Sequence, residues 1–571
     1  MRLKRFLPIL GWLPAYHSEQ LKGDLSAGLT VGVMLIPQGM AYAMIAGLPP
    51  IYGLYASTIP LILYAIFGTS RQLAVGPVAM VSLLTAAGIG GIAQAGTETY
   101  VMLAIALALF VGLIQFLLGA FRLGFLVNFL SHPVVSGFTS AAALIIGLSQ
   151  LKHLLGVGLG RSTYVHEVLI EAARRIGETN PAALAIGLAG IALILGVRRI
   201  NRAIPGPLLA VVFGILAVWG LGLTEHGVKI VGEVPKGLPS LAMPEFSLEN
   251  FNTLLPIALA ISLVSFMESI AVAKAIQAKH KNYKVDANQE LIALGIANIG
   301  GAFFQAYPTT GGFSRTAVND QAGAKTGMAA IISALLIGLT LLFLTPLFYY
   351  LPNAILASVI MVAVFGLIDI KEAVHLWHAD RSDFWMLIVA FVGTLALGIE
   401  EGILIGVALS LGLIIFRTTM PHFAVLGKIP GKPLYKNVNR FDDLETRPDI
   451  LVMRFDARLY FANVAYFKDK IEEQLEKKGK ALKLFVLDAN SINSVDSSGM
   501  HALEDIYQLC KTQGVEFYLS SVKGPVRDAL SKGGLVDKLG EQKFFLRIQH
   551  AVDSFDEKEV PHYGDYVLQT N

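Results

Sequence analysis

From Asp24 to Arg417 the chain is a series of apolar segments separated by short polar connections. The segments lie at 24–47, 52–67, 73–92, 101–119, 126–151, 181–197, 207–223, 254–279, 287–303, 313–322, 327–350, 353–368, 383–398 and 402–416. Such a series predicts a polytopic membrane protein, because spanning backbone must satisfy its hydrogen bonds inside the protein. Several segments are far shorter than the roughly 20 residues of a straight spanning helix, so those segments are expected to break within the protein or line a cavity. Composition agrees. Of 571 residues, 54% are hydrophobic and 15% charged, against about 25% charged in soluble domains. A net charge of +3 gives no sign of a nucleic-acid partner.

With the N-terminus in the cytoplasm and fourteen crossings, basic residues fall on one side. Arg71, Arg122, Arg198/Arg199/Arg202, Lys279/Lys281/Lys284, Lys325, Lys371 and Arg381 become cytoplasmic. The outer connections near Gly96, Tyr307, Pro352 and Glu400 carry no Lys or Arg, as the positive-inside rule requires. The stretch 152–180 mixes basic and acidic residues and reads as an outer amphipathic loop. Residues 1–23, basic and interrupted by Pro8 and Pro14, read as a cytoplasmic interfacial segment with no cleavage site.

Three segments are interrupted by polar or helix-breaking residues. In LIPQGMAYAMIAGLPP (35–50), Pro37 disfavours a continuous helix, and Gln38 and Tyr42 share a helix face. In LAVGPVAMVSLL (73–84), Gly76 and Pro77 read as the start of a half-helix with Pro in its first turn. In YPTTGGFSRTAVND (307–320), Pro308, Gly311 and Gly312 make a break, with a short helix beginning near Ser314. A helix starting inside a membrane points free N–H groups and about half a positive charge into a cavity, which suits an anion. Arg315 adds a full charge. Two facing N-termini, 76–79 and 312–315, would hold a small oxyanion or halide; ordinary kinks with Arg315 in a structural ion pair are the alternative. The two breaks occupy matching places in the two halves, which predicts inverted repeats. Glu268, within SLVSFMESIAVAKAIQ (262–277), costs several kcal/mol at bilayer depth unless compensated.

After Pro421 the pattern changes. DILVMRFDARLYFAN, LKLFVLDANS and VEFYLSS read as strands, and VAYFKDKIEEQLEKKGK and SSGMHALEDIYQLCKTQG as helices. This predicts a small α/β domain at 440–557, a linker at 421–439 and a loosely ordered tail at 558–571. The single cysteine, Cys510, excludes an intramolecular disulfide and is expected to be buried. His132, His153 and His166 have no zinc-type spacing, and no phosphate-binding Gly-x4-Gly-Lys-Ser/Thr motif supports ATP-driven transport. No enzyme constellation, cofactor or structural metal is called for.

PPIYGLYASTIPLILYAIFGTSRQLAVGPVAMVSL (49–83) and NQELIALGIANIGGAFFQAYPTTGGFSRTAVN (288–319) closely resemble signature regions of the sulfate permease (SulP) family. VLDANSINSVDSSGMHALEDI resembles the motif of its STAS domain. The resemblance implies an α-helical fold of seven plus seven inverted spans, 24–420. A core of spans one to four and eight to eleven would move as an elevator against a gate of the other six. It further implies a homodimer. The fourteen-span topology places the α/β domain in the cytoplasm, and the expected location is a bacterial inner (plasma) membrane. Gln38, Tyr42, Val78, Ala79, Ser314 and Arg315 should then lie around the anion, and Glu268 near the coupling site. The expected activity is secondary transport of a small anion, sulfate first, by H+- or Na+-coupled symport. Alternatives are a bicarbonate or dicarboxylate symporter, an uncoupled chloride or anion channel or exchanger, and a membrane sensor signalling through the STAS domain.

Three readings of Glu268 compete: a permanent pair with Arg315, a proton site, or a Na+ ligand with Ser265 or Ser269. A neutral, uncoupled acid is the remainder. An inside-negative potential opposes anion entry by about 2.3 kcal/mol per charge per 100 mV, so a co-transported cation would help. In the STAS motif Ser497 and Ser498 suit helix capping; the resemblance adds Ser497 as a phosphorylation position.

Overall fold

The computed structural model describes residues 6–125, 131–158, 165–200, 205–244, 246–280, 283–366 and 368–560; the side chains of residues 278, 399–400, 403–404 and 407 are also left undescribed. Residues 1–5 of the N-terminal segment, Arg161, Arg202, Lys281, the side chain of Glu400 and residues 561–571 of the tail therefore lie outside the described residues. The chain forms two compact units, one ending at Ser410 and one beginning at Leu411, so the boundary falls inside the Ile399–Thr419 helix.

Each apolar segment of the first unit is largely helical. Among the described residues, eight helices are long and apolar enough to cross a membrane, and three shorter apolar helices accompany them. The outer faces are apolar: Leu188, Leu195, Trp219, Phe343 and Trp385 are exposed. Exposed large side chains on so many helices suit lipid rather than water.

Helix contacts are set by small residues, which let backbones approach closely. A Cβ at Gly53 would lie 1.9 Å from the carbonyl oxygen of Gly39, pressing the Pro50–Tyr55 helix onto the Ser18–Ile45 helix. Gly112 and Gly295 make a similar seam between Glu98–Ala120 and Ala287–Phe303. Gly28 packs on Ala329 and Ile332, Gly137 on Leu387, and Gly190 on Ser358.

The Ser18–Ile45 helix is continuous through Pro37, contrary to the expected break. Spanning helices tolerate proline where neighbouring helices or side chains re-satisfy the freed carbonyl. The other two breaks are real. Val75–Gly76 (β1) pairs antiparallel with Thr310–Gly311 (β2), with Val75 opposite Gly311 and Gly76 opposite Thr310. Helices Ala79–Gly90 and Phe313–Gln321 start three and two residues after their strands. Pro77 is therefore outside the first turn, between β1 and the N-cap residue Val78. Gly76 has φ 153°, a region L side chains rarely adopt.

The second unit holds a six-stranded sheet in the order β4-β3-β5-β6-β7-β8. Its strands are Phe423–Lys428 (β3), Tyr435–Asn437 (β4), Ile450–Phe455 (β5), Leu484–Asp488 (β6), Glu516–Ser520 (β7) and Phe544–Phe545 (β8). The pairs from β5 to β8 are parallel and those of β3 antiparallel. The stretch 421–439, read from sequence as a linker, thus supplies two strands of the sheet. Helices Val464–Lys478 and Ser497–Thr512 bury Phe467, Ile471, Leu503, Ile506 and Cys510 in one core with Phe455, Phe485 and Phe517. Burial pushes the Cys510 thiol up to about 12, so it packs as an apolar group.

Candidate functional site

The β1–β2 pair brings the starts of two helices together. Neither first turn is closed by a side-chain cap, because the N-cap residues are Val78 and Gly312. Their first N–H groups have no intrahelical acceptor, and both positive dipole ends add to the site.

Arg315 is 1% exposed, and its Nη1 donates to the carbonyl of Pro77 at 2.5 Å. That bond links one half-helix to the other. Nε and Nη2 are buried without a hydrogen-bond partner. Buried polar atoms are nearly always paired, so two unpaired guanidinium nitrogens between two helix N-termini mark a place built for an acceptor. A Cβ at Gly76 would lie 3.5 Å from Nη2, and the glycine keeps that space open.

Gln38 and Tyr42 are buried on the Ser18–Ile45 helix, and Gln38 Oε1 also has no partner. Tyr42 interacts electrostatically with both Arg315 and Glu268, which sets the three near one another. Val78 and Ala79 are buried at the first half-helix start. Ser314 is exposed, beside exposed Phe313, so it stands at the open edge of this cluster.

Glu268, in the Leu248–His280 helix, is partly accessible and has no hydrogen-bond partner among the described residues. It interacts electrostatically with Arg315 but makes no ion pair with it within 4.0 Å. The structural-pair reading is therefore corrected: the guanidinium spends its bond on Pro77. Ser265 and Ser269 are fully buried and committed elsewhere. Ser269 Oγ accepts from Gly311 N at 2.8 Å and lies 2.7 Å from Thr310 Oγ1; Ser265 Oγ accepts from Gln115 at 2.7 Å. Among the described residues no group of three His, Cys, Asp or Glu could hold a metal ion.

Sequence reasoning missed the polar framework behind these residues. Asn298 donates to the carbonyl of Thr309 at 3.1 Å and accepts from its N–H at 2.8 Å. It also donates to Gln115, and Thr310 Oγ1 donates to the carbonyl of Ser265 at 2.7 Å. Tyr307 and Ser82 join hydroxyls at 3.0 Å across the two broken segments. Glu290 accepts from Tyr64 (2.5 Å) and from the N–H and hydroxyl of Thr69, fixing the loop that leads to β1. Lone amides, hydroxyls and acids inside apolar runs were the available signal.

In the second unit, Asp496 caps the Ser497–Thr512 helix by accepting from Gly499 N at 2.8 Å. The expected serine cap is corrected: Asp496 occupies the N-cap position, and its carboxylate takes the free N–H. Ser497 is the first helical residue and is exposed.

Two family models match the chain: the sulfate permease family at residues 21–390 and the STAS domain at 443–551. Sulfate transporter 4.1, chloroplastic, of Arabidopsis thaliana is 40% identical over 565 residues, 95% of this chain and 82% of that protein. High affinity sulfate transporter 2 of Stylosanthes hamata is 35% identical over 577 residues, 97% of this chain and 87% of that protein. The murine Solute Carrier 26 family member A9 anion transporter, in an inward-facing state, superposes with TM-score 0.89 at 27% identity, covering 97% of this chain and 94% of that one. With its helical membrane unit, its β-sheet domain and these matches along nearly its whole length, the chain belongs to the sulfate permease family of integral membrane transporters and carries a C-terminal STAS domain.

Proposed function

We propose that this protein carries a small inorganic anion, sulfate first, across its membrane, with a cation taken up at Glu268. One observation carries the reading: Arg315 is buried between two uncapped helix N-termini with Nε and Nη2 unpaired. In that position Nε, Nη2 and the first-turn N–H groups act as fixed donors to the anion's oxygens. Gln38, Tyr42, Val78 and Ala79 shape the inner wall, and Ser314 the mouth. Relatives named as sulfate transporters support sulfate over other oxyanions.

The cation is H+ in our reading. Glu268 is partly accessible and unpaired, whereas the hydroxyls that would join a Na+ site are engaged, Ser269 with β2 and Ser265 with Gln115. Na+ held by Glu268 and backbone carbonyls is the second reading, favoured by the irregular backbone at 307–312. The glycine seams support an elevator movement, because each joins helices within the proposed core (Gly28, Gly53, Gly112) or within the proposed gate (Gly137, Gly190). Fourteen crossings, a homodimer and a cytoplasmic N-terminus and STAS domain in a bacterial plasma membrane complete the proposal.

Sulfate uptake by proteoliposomes under imposed pH or Na+ gradients tests it. Wild-type uptake should rise with an inward proton gradient and lose that dependence in Glu268→Gln. An unchanged response in Glu268→Gln removes the carboxylate from coupling. No sulfate uptake under any gradient removes sulfate as the substrate.

A further inference from the structure

We propose a second anion site, in the STAS domain, for a small tetrahedral oxyanion of the sulfate or phosphate type. It is a 290 Å³ pocket at the β4 edge of the sheet. The register builds it: Arg454 on β5 lies opposite Ala424 on β3, and Leu426 on β3 lies opposite Asn437 on β4. His422 just before β3, Lys436 on β4 and Arg440 in the following turn complete the lining.

The charges do not cancel. Three cations, Lys436, Arg440 and Arg454, meet one carboxylate, Asp456, which leaves +2 with His422 neutral. That carboxylate is already shared. Arg454 donates to it through Nε at 2.5 Å and Nη2 at 3.0 Å, and His422 Nδ1 lies 2.7 Å from it. Lys436 and Arg440 are exposed and have no ion-pair partner among the described residues. Lys436 is held toward the pocket, its Nζ 5.8 Å from the centre of the Phe441 ring. Asn437 spends its carbonyl on Asn439 N at 2.9 Å, which leaves its amide nitrogen to donate. Surplus positive charge around a concavity suits a doubly charged oxyanion, and the planar Arg440 fork, unlike that of Arg454, is open to its oxygens.

Equilibrium dialysis of the purified full-length protein with labelled sulfate, and separately with labelled inorganic phosphate, tests the site. In the Arg315→Ala protein one binding component should remain for at least one of the two anions. Adding K436Q and R440Q should weaken that component by about tenfold per cation, while K436R with R440K should restore it. Phosphate binding alone, or sulfate binding alone, identifies the oxyanion. The proposal is overturned if Arg315→Ala binds neither anion, or if K436Q/R440Q leaves stoichiometry and affinity unchanged. An Arg315→Ala protein that binds both anions as the wild type does would count against the membrane site and not against this one.

Discussion

Arg315 combines two functions in one side chain. Its Nη1 ties the second half-helix to the Pro77 carbonyl of the first, while Nε and Nη2 stay available. A lysine carries the charge on one nitrogen and cannot do both. Arg315→Lys should therefore keep some transport but raise KM, and Arg315→Ala should raise it further. A charge-assisted hydrogen bond contributes about 1.5–3 kcal/mol, so the alanine variant should bind sulfate about ten- to a hundredfold more weakly. Equal affinity in all three proteins would remove Arg315 from the anion's contacts. In the STAS domain, Asp496 links the Ser497–Thr512 helix to Phe461 N at 2.9 Å as well as capping it. Asp496→Ala should cost about 1 kcal/mol of domain stability, measured by denaturant unfolding, whereas Ser498→Ala should change little. The reverse order would restore the serine cap.

At the level of elements, the broken helices were legible because Gly and Pro mark them, and Arg315 was legible as a charge in an apolar run. The β1–β2 pair was not: two-residue strands have no period to read, and their partners are 236 and 234 positions apart in register. Pro37 misled for the opposite reason, since a buried spanning helix overrides a local breaker. The strand β4 was hidden by its shortness, and both β3 and β4 by flanking Pro421, Gly431 and Pro433. The seams give a test at this scale. Gly53→Ala puts a methyl 1.9 Å from the Gly39 carbonyl, one turn before the Tyr42 face, so the two helices must part. Overpacking of this kind costs about 1–3 kcal/mol. The purified variant should lose thermal stability and sulfate uptake. Gly90→Ala meets nothing within 4 Å and should match or exceed the wild type. Equal behaviour of the two variants would show that the seam does not set the helix spacing.

For the molecule as a whole, Arg315 is the one fully buried Lys or Arg among the described residues, and the proposed elevator would move one glycine-seamed group of helices against another. A carrier built this way exposes the same site to one side at a time, so each transported anion must be released before the return step. A channel has no such constraint. Proteoliposomes loaded with unlabelled sulfate should therefore accumulate labelled sulfate transiently with no net gradient, and accumulation should saturate with external sulfate. Empty vesicles should not show it. Glu268→Gln should retain this exchange, because the anion site and its dipoles are untouched, even though concentrative uptake driven by protons is lost. Arg315→Ala should weaken exchange and uptake together, by the same rise in KM. A current through the wild-type protein that rises linearly with sulfate, without stimulation by sulfate on the far side, would instead identify a pore, and the separation of Glu268 from Arg315 in function would fail with it.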